Sequence, residues 1–165
     1  MFEPFALSGC RKTDDLSFLT ALESLVCRSC SFAGSVGMMA NASALLKWYL
    51  GDSANWVGFY LIENGELVLG PFQGLPACER IAMGTGVCGT AAAGKRSIAV
   101  PDVLVFPGHI ACSSVSRSEI VCPLIKDGMV FGVLDADSPD CGFFTEKDIP
   151  FFESASSIVS SAFCF

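Results

Sequence analysis

Residues 119–138 read EIVCPLIKDGMVFGVLDADS, two long apolar runs on either side of Lys126, Asp127 and Gly128. An Asp-Gly pair between hydrophobic runs is a hairpin signal, so the stretch predicts two antiparallel strands. A second hairpin lies upstream, where ANWVGFYLI (54–62) and LVLGPF (67–72) enclose ENGE with its Asn-Gly pair. RSIAVP (96–101) reads as a further strand. Two hairpins point to an antiparallel sheet.

Helices are expected on both sides of these strands in the chain. From Thr13 to about Cys30, Leu16, Leu19, Leu22, Leu25 and Val26 recur at helical spacing, with Thr13 and the Asp pair after it as a start signal. GMMANASALLKWYL (37–50) repeats the pattern and stops at Gly51. The Ala run after Gly86 suggests a short helix. A closing helix over about 145–163 starts with a Thr cap and acidic first turn, with Pro150 near its beginning. The expected fold class is therefore α+β: a single domain over 1–165 with a central antiparallel sheet and helices mainly on one face. The N-terminal helices fall at about 13–50 and the core motifs at about 55–148.

A chain of 165 residues can bury roughly two thirds of its unfolded surface in one core. With 52% hydrophobic and 16% charged residues, long disorder is not expected. The net charge of -7 and scattered basic residues argue against a nucleic-acid surface. No apolar run approaches the roughly 18 residues that span a bilayer, and no secretion signal is recognisable at the start, so a cytoplasmic, reducing setting is the expectation. Nine cysteines cannot all pair within one monomer, and in that setting they read as thiols.

Three chemistries compete for the stretch Phe106–Ile120, FPGHIACSSVSRSEI. A metal site has little to draw on: His109 is the sole histidine, and Cys27 and Cys30 fall inside the expected first helix with no second pair following. A mixed site with His109 and Cys112 needs two more ligands. A Cys112–His109 nucleophile pair is conceivable, although such partners usually meet through the fold. Thiol redox chemistry fits more residues. Cys78, Cys88 and Cys112 sit on loops or helix starts beside Gly, Pro or Ala, where thiolates can be stabilised; the alternative is simple packing.

Carboxylates add a second clue. Asp135 and Asp137 are two apart on a strand and share one face, while Leu134 and Ala136 share the other. Glu119 opens the neighbouring strand and can converge on them. Acids in an apolar strand need a cation, a donor or water, and crowded carboxylates raise one another's pKa, which keeps one protonated near neutral pH. The alternative is that Asp137 and Ser138 only cap the strand end.

The motifs NWVGFYL, LGPFQGLPAC, GVCGTAAA, VPDV, FPGHIAC, SEIVCPL and GVLDADSP, in order from about Asn55 to Asp148, resemble the free methionine-(R)-sulfoxide reductases, a family built on the GAF fold. The resemblance implies reduction of the R sulfoxide of free methionine, a role in oxidative stress, with thioredoxin as external reductant, no bound cofactor or metal, and a homodimer. By matching motif positions, Cys112 is similar to the catalytic cysteine, Cys78 to the resolving cysteine, and Cys88 to a third cysteine of disulfide exchange. Glu119, Asp135 and Asp137 match substrate-site carboxylates, with Glu119 or Asp137 the acid that protonates the sulfoxide oxygen. Trp56 and Tyr60 match aromatic residues near the methyl and thioether end. His109 becomes a loop-positioning residue. Ala136 departs from the usual branched aliphatic, and cysteines 10, 27, 30, 122, 141 and 164 are extra. The competing expectation is a non-enzymatic GAF module that binds a small ligand or senses redox state.

Overall fold

Both hairpin turns form. Asn64 and Asp127 take φ of 52° and 51°, each followed by a glycine with positive φ, the backbone that lets a two-residue turn match strand twist. In the computed structural model, which describes residues 3–108 and 114–164, the first hairpin comprises β1 (Trp56–Glu63) and β2 (Glu66–Gly74). Short strands β3 (Arg80–Ala82) and β4 (Ile98–Val100) follow, and the second hairpin comprises β5 (Ser118–Lys126) and β6 (Met129–Ser138). The sheet order is β3-β2-β1-β6-β5-β4, with antiparallel pairing throughout. Pairing of β1 with β6 joins the hairpins and sets their residues in register. β3, whose only buried residue is Ile81, has no counterpart in the sequence reading.

The helices are α1 (Arg11–Leu25), α2 (Phe32–Leu50), α3 (Gly86–Gly94) and α4 (Ile149–Ala162). On one face of the sheet Phe59, Ile120, Leu124, Leu134 and Ala136 pack with Phe18 and Leu22 of α1, Met39 and Leu46 of α2, and Phe152 and Val159 of α4. On the other face Tyr60, Val121 and Val133 meet Val87, Ala91 and Ala92 of α3. Three helices on one side and one on the other bear out the expected α+β arrangement. A fully buried Leu or Phe contributes about 1.5–3 kcal/mol, so the three-helix face can hold the fold while the other carries groups that cost energy.

Three helix boundaries differ from expectation. α1 ends at Leu25, not near Cys30, and Val26 is already extended. Ser29 instead donates its N–H to the Ala162 carbonyl at 2.8 Å and bridges Phe163, while Cys30 forms a disulfide with Cys164. Cys27 and Cys30 therefore lie outside the helix, and the reading of the extra cysteines as thiols is corrected for this pair. The start of α1 shifts too: Asp14 accepts from the Ser8 N–H at 2.7 Å and the Gly9 N–H at 3.1 Å, so the helix begins before Thr13. α2 begins at Phe32 rather than Gly37 because Ser31 caps it, accepting from the Gly34 N–H at 3.2 Å.

The closing helix follows its signals. Asp148 accepts from the Thr145 N–H at 2.7 Å and its hydroxyl at 3.0 Å, and Pro150 sits in the first turn. Arg11 reaches Asp148 at 2.7 Å and ties the starts of α1 and α4 together. Among the described residues, no helix is long and apolar enough to cross a membrane.

Candidate active site

Register brings the sequence-selected residues together. Across the sheet, Trp56 of β1 pairs with Asp137 of β6, which pairs with Glu119 of β5, which pairs with Val100 of β4. The next row on this face is Gly58, Asp135 and Val121. Glu119 and Asp137 are thus direct cross-strand neighbours, an arrangement that destabilises two like charges. Asp135 has glycine on one side and valine on the other. None of the ion pairs among the described residues involves these three acids.

Helix α3 closes the face from above. Cys88, in its first turn, is 4% exposed and places Sγ 3.8 Å from Glu119 Oε1. The start of a helix ordinarily favours a thiolate, but burial and the Asp135 and Glu119 charges push this thiol well above its usual range. Cys88 rests as a thiol. Burial also raises Glu119 well above the carboxylate range, with the Asp135 and Asp137 charges adding to it. Asp135 is raised well above by burial and then by Asp137. Burial pushes Asp137 up to about 7, and a hydrogen bond from Ser116 offsets part of that rise. Burial is thus the first cause at all three, and the expected crowding adds to it at Glu119 and Asp135.

An aromatic wall stands beside the acids. The Trp56 ring stacks between Tyr60 at 5.9 Å and Phe72 at 5.3 Å. Gly58 makes room for it: a Cβ there would lie 2.6 Å from the Trp56 ring. Tyr60 donates its hydroxyl to the Cys78 carbonyl at 3.0 Å, which anchors the segment after β2 to the sheet. Cys78 is half-buried and disulfide-bonded. Among the described residues, the Trp56 indole nitrogen, Asp135 Oδ1 and Asn55 Oδ1 are buried here without a protein partner.

The loop bearing the remaining candidates is staked at both ends. Val103 donates its N–H to the Arg117 carbonyl at 2.9 Å, and Arg117 pairs with Asp102 at 3.2 Å. Asn55 donates its side-chain amide to the Ser116 hydroxyl at 3.0 Å, and its N–H to the Asp137 carbonyl at 2.9 Å. Cys112 and His109 lie outside the described residues. Asn55, Gly58, Phe72 and Ser116 escaped the sequence reading as parts of the site. Gly58 alone carried a signal, a glycine inside an apolar strand, which marks close approach.

The arrangement offers buried acid protons, an apolar wall, an unpaired donor and acceptor, and cysteine chemistry at its edge. Residues 20–163 match the GAF domain family. The free methionine-R-sulfoxide reductase of Saccharomyces cerevisiae is 44% identical over 135 residues, covering 77% of this chain and 74% of that protein. The chain belongs to the free methionine-R-sulfoxide reductases of the GAF family. Another member, from Escherichia coli, is 56% identical over 110 residues, 67% of this chain and 66% of its own. The X-ray structure of the Neisseria meningitidis free methionine-R-sulfoxide reductase, in complex with its substrate, is similar at a TM-score of 0.91 and 41% identity. That likeness covers 98% of this chain and 95% of that one. Register gathers on one face the acids and aromatics that the sequence reading singled out.

Proposed function

We propose that the chain reduces the R sulfoxide of free L-methionine to L-methionine, using a cysteine nucleophile, a sulfenic acid and an intramolecular disulfide. The observation that carries this reading is the meeting of Glu119, Asp135 and Asp137 beside Trp56, with no protein cation paired to them among the described residues. A small amino acid complements that set. Its ammonium answers the carboxylate charge, and the unpaired Asp135 Oδ1 is an acceptor for it. Its S-methyl end packs on Trp56 and Tyr60.

In this mechanism the Cys112 thiolate attacks the sulfoxide sulfur while Glu119 or Asp137 gives its proton to the oxygen. The raised Asp137, near 7, suits a proton donor at neutral pH. The hydroxyl then passes from the substrate sulfur to Cys112 as the S–O bond and the new S–S bond break, so methionine leaves and Cys112 becomes a sulfenic acid. The Cys78 thiol then condenses with it, forming a disulfide and releasing water. An external dithiol of the thioredoxin type opens that disulfide by exchange, and Cys88 exchanges with the pair when its proton is lost. The bonded state of Cys78, and its backbone tether to Tyr60, support the resolving role. No metal or bound cofactor takes part. The reading includes a homodimer and a cytoplasmic setting in which thioredoxin is available.

Single-turnover quenching of the reduced protein with free R sulfoxide tests the assignment. Wild type and Cys78→Ser are expected to form one equivalent of methionine, and Cys112→Ser none. Methionine formation by Cys112→Ser would overturn the roles. Stoichiometric binding without turnover in wild type would instead favour a ligand-sensing GAF module.

A further inference from the structure

Cys88, Glu119 and Asp135 do more than crowd one another. Their ligating atoms, Sγ and one oxygen from each carboxyl, all lie within 4.8 Å of one another, and all three residues are buried. A tetrahedral zinc with bonds of about 2.3 Å to sulfur and about 2.0 Å to oxygen holds its sulfur and oxygen ligands about 3.5 Å apart. The Cys88 Sγ to Glu119 Oε1 separation is 3.8 Å. Asp135 is 5% exposed, and its Oδ1 has no hydrogen-bond partner among the described residues. Such an atom costs free energy until something with positive charge or a proton reaches it.

We propose that Cys88, Glu119 and Asp135 form a site for a thiophilic divalent cation of the zinc class, which inhibits by occupying the pocket. Asp137 and water complete the coordination, since Asp137 is half-buried where the other two acids are buried. The sulfur ligand sets the selectivity: magnesium and calcium take oxygen ligands and gain nothing from Cys88. The inhibitory consequence rests on the reading of this pocket as the substrate site. There, the metal and the substrate's ammonium draw on the same carboxylate charge, so each excludes the other.

The test is titration of the fully reduced protein with Zn2+ against a chromophoric chelator, without substrate. Wild type is expected to bind one equivalent that Mg2+ does not displace. Cys88→Ala and Asp135→Asn should each weaken that binding by at least about tenfold, and Cys112→Ser should keep it. Equal affinity in Cys88→Ala, which would put the metal on other thiols such as Cys27 or Cys141, overturns the site, as does the lack of a stoichiometric equivalent. A final addition of free methionine R sulfoxide separates the two ideas. Displacement of zinc supports both, whereas zinc that binds as described and stays put upholds the metal site and contradicts the pocket's reading as the substrate site.

Discussion

The two faces of one sheet are built from the same strands and obey opposite rules. On the face under α1, α2 and α4, β6 presents Leu134 and Ala136, both almost completely buried in apolar surroundings. On the face under α3 the intervening residues are Asp135 and Asp137, and β5 adds Glu119. A one-residue slip of β6 would exchange these sets, so the register that stabilises the first face also assembles the second. Labour is divided: one face supplies stability, and the other spends some of it on buried acids that pair with no cation among the described residues.

The largest effect expected is on the stable face. Leu134→Ala should cost about 2–5 kcal/mol in denaturant unfolding while leaving the substrate KM near wild type at low temperature. On the opposite face, Asp135→Asn should raise KM by about 10-fold to 100-fold through loss of a contact to the substrate's ammonium, yet leave stability near wild type, because burial already keeps Asp135 neutral before substrate arrives. A fall in stability as large as that of Leu134→Ala would erase the distinction. Gly58→Ala, at the junction of the aromatic wall, should destabilise by about 1–3 kcal/mol and shift Trp56 fluorescence, since the added methyl takes the space of the ring.

The remaining effect is pH dependence. Asp137 ordinarily titrates near 3.8 and is pushed up to about 7 when folded, so the native state holds a proton that the unfolded chain has lost between those values. Its contribution to stability is fully present below 3.8 and is lost as pH rises through about 7. Unfolding free energy should therefore decline over that window, and Asp137→Asn should flatten the decline. An unchanged slope in the variant would place the protons elsewhere.

Local signals made most of the fold legible. Asn-Gly and Asp-Gly turns, the period-two placement of Asp135 and Asp137, and the Thr145 cap are each decided by a few neighbouring residues. The end of α1 was not legible, because it is set by the Ser29–Phe163 bridge and by a Cys30–Cys164 disulfide spanning 134 residues of chain. The helical pattern of Leu25 and Val26 continues past the point where that pairing pulls the backbone straight. In the site, Glu119 was legible as the opening residue of a hairpin strand. The Tyr60 bond to Cys78 and the Asn55 bond to Ser116 were not, since they join residues 18 and 61 apart with no shared pattern. Cys88 shows the limit most clearly: its place at a helix start suggests an acidic thiol, and only its burial, with the facing carboxylates, reveals the reverse.

The most direct measurement is NADPH consumption coupled through thioredoxin reductase and thioredoxin, with free L-methionine R sulfoxide, the S form, and a peptide containing the sulfoxide. Steady turnover is expected with the free R form alone. Equal turnover of the S form or the peptide, or none with the R form, would contradict it.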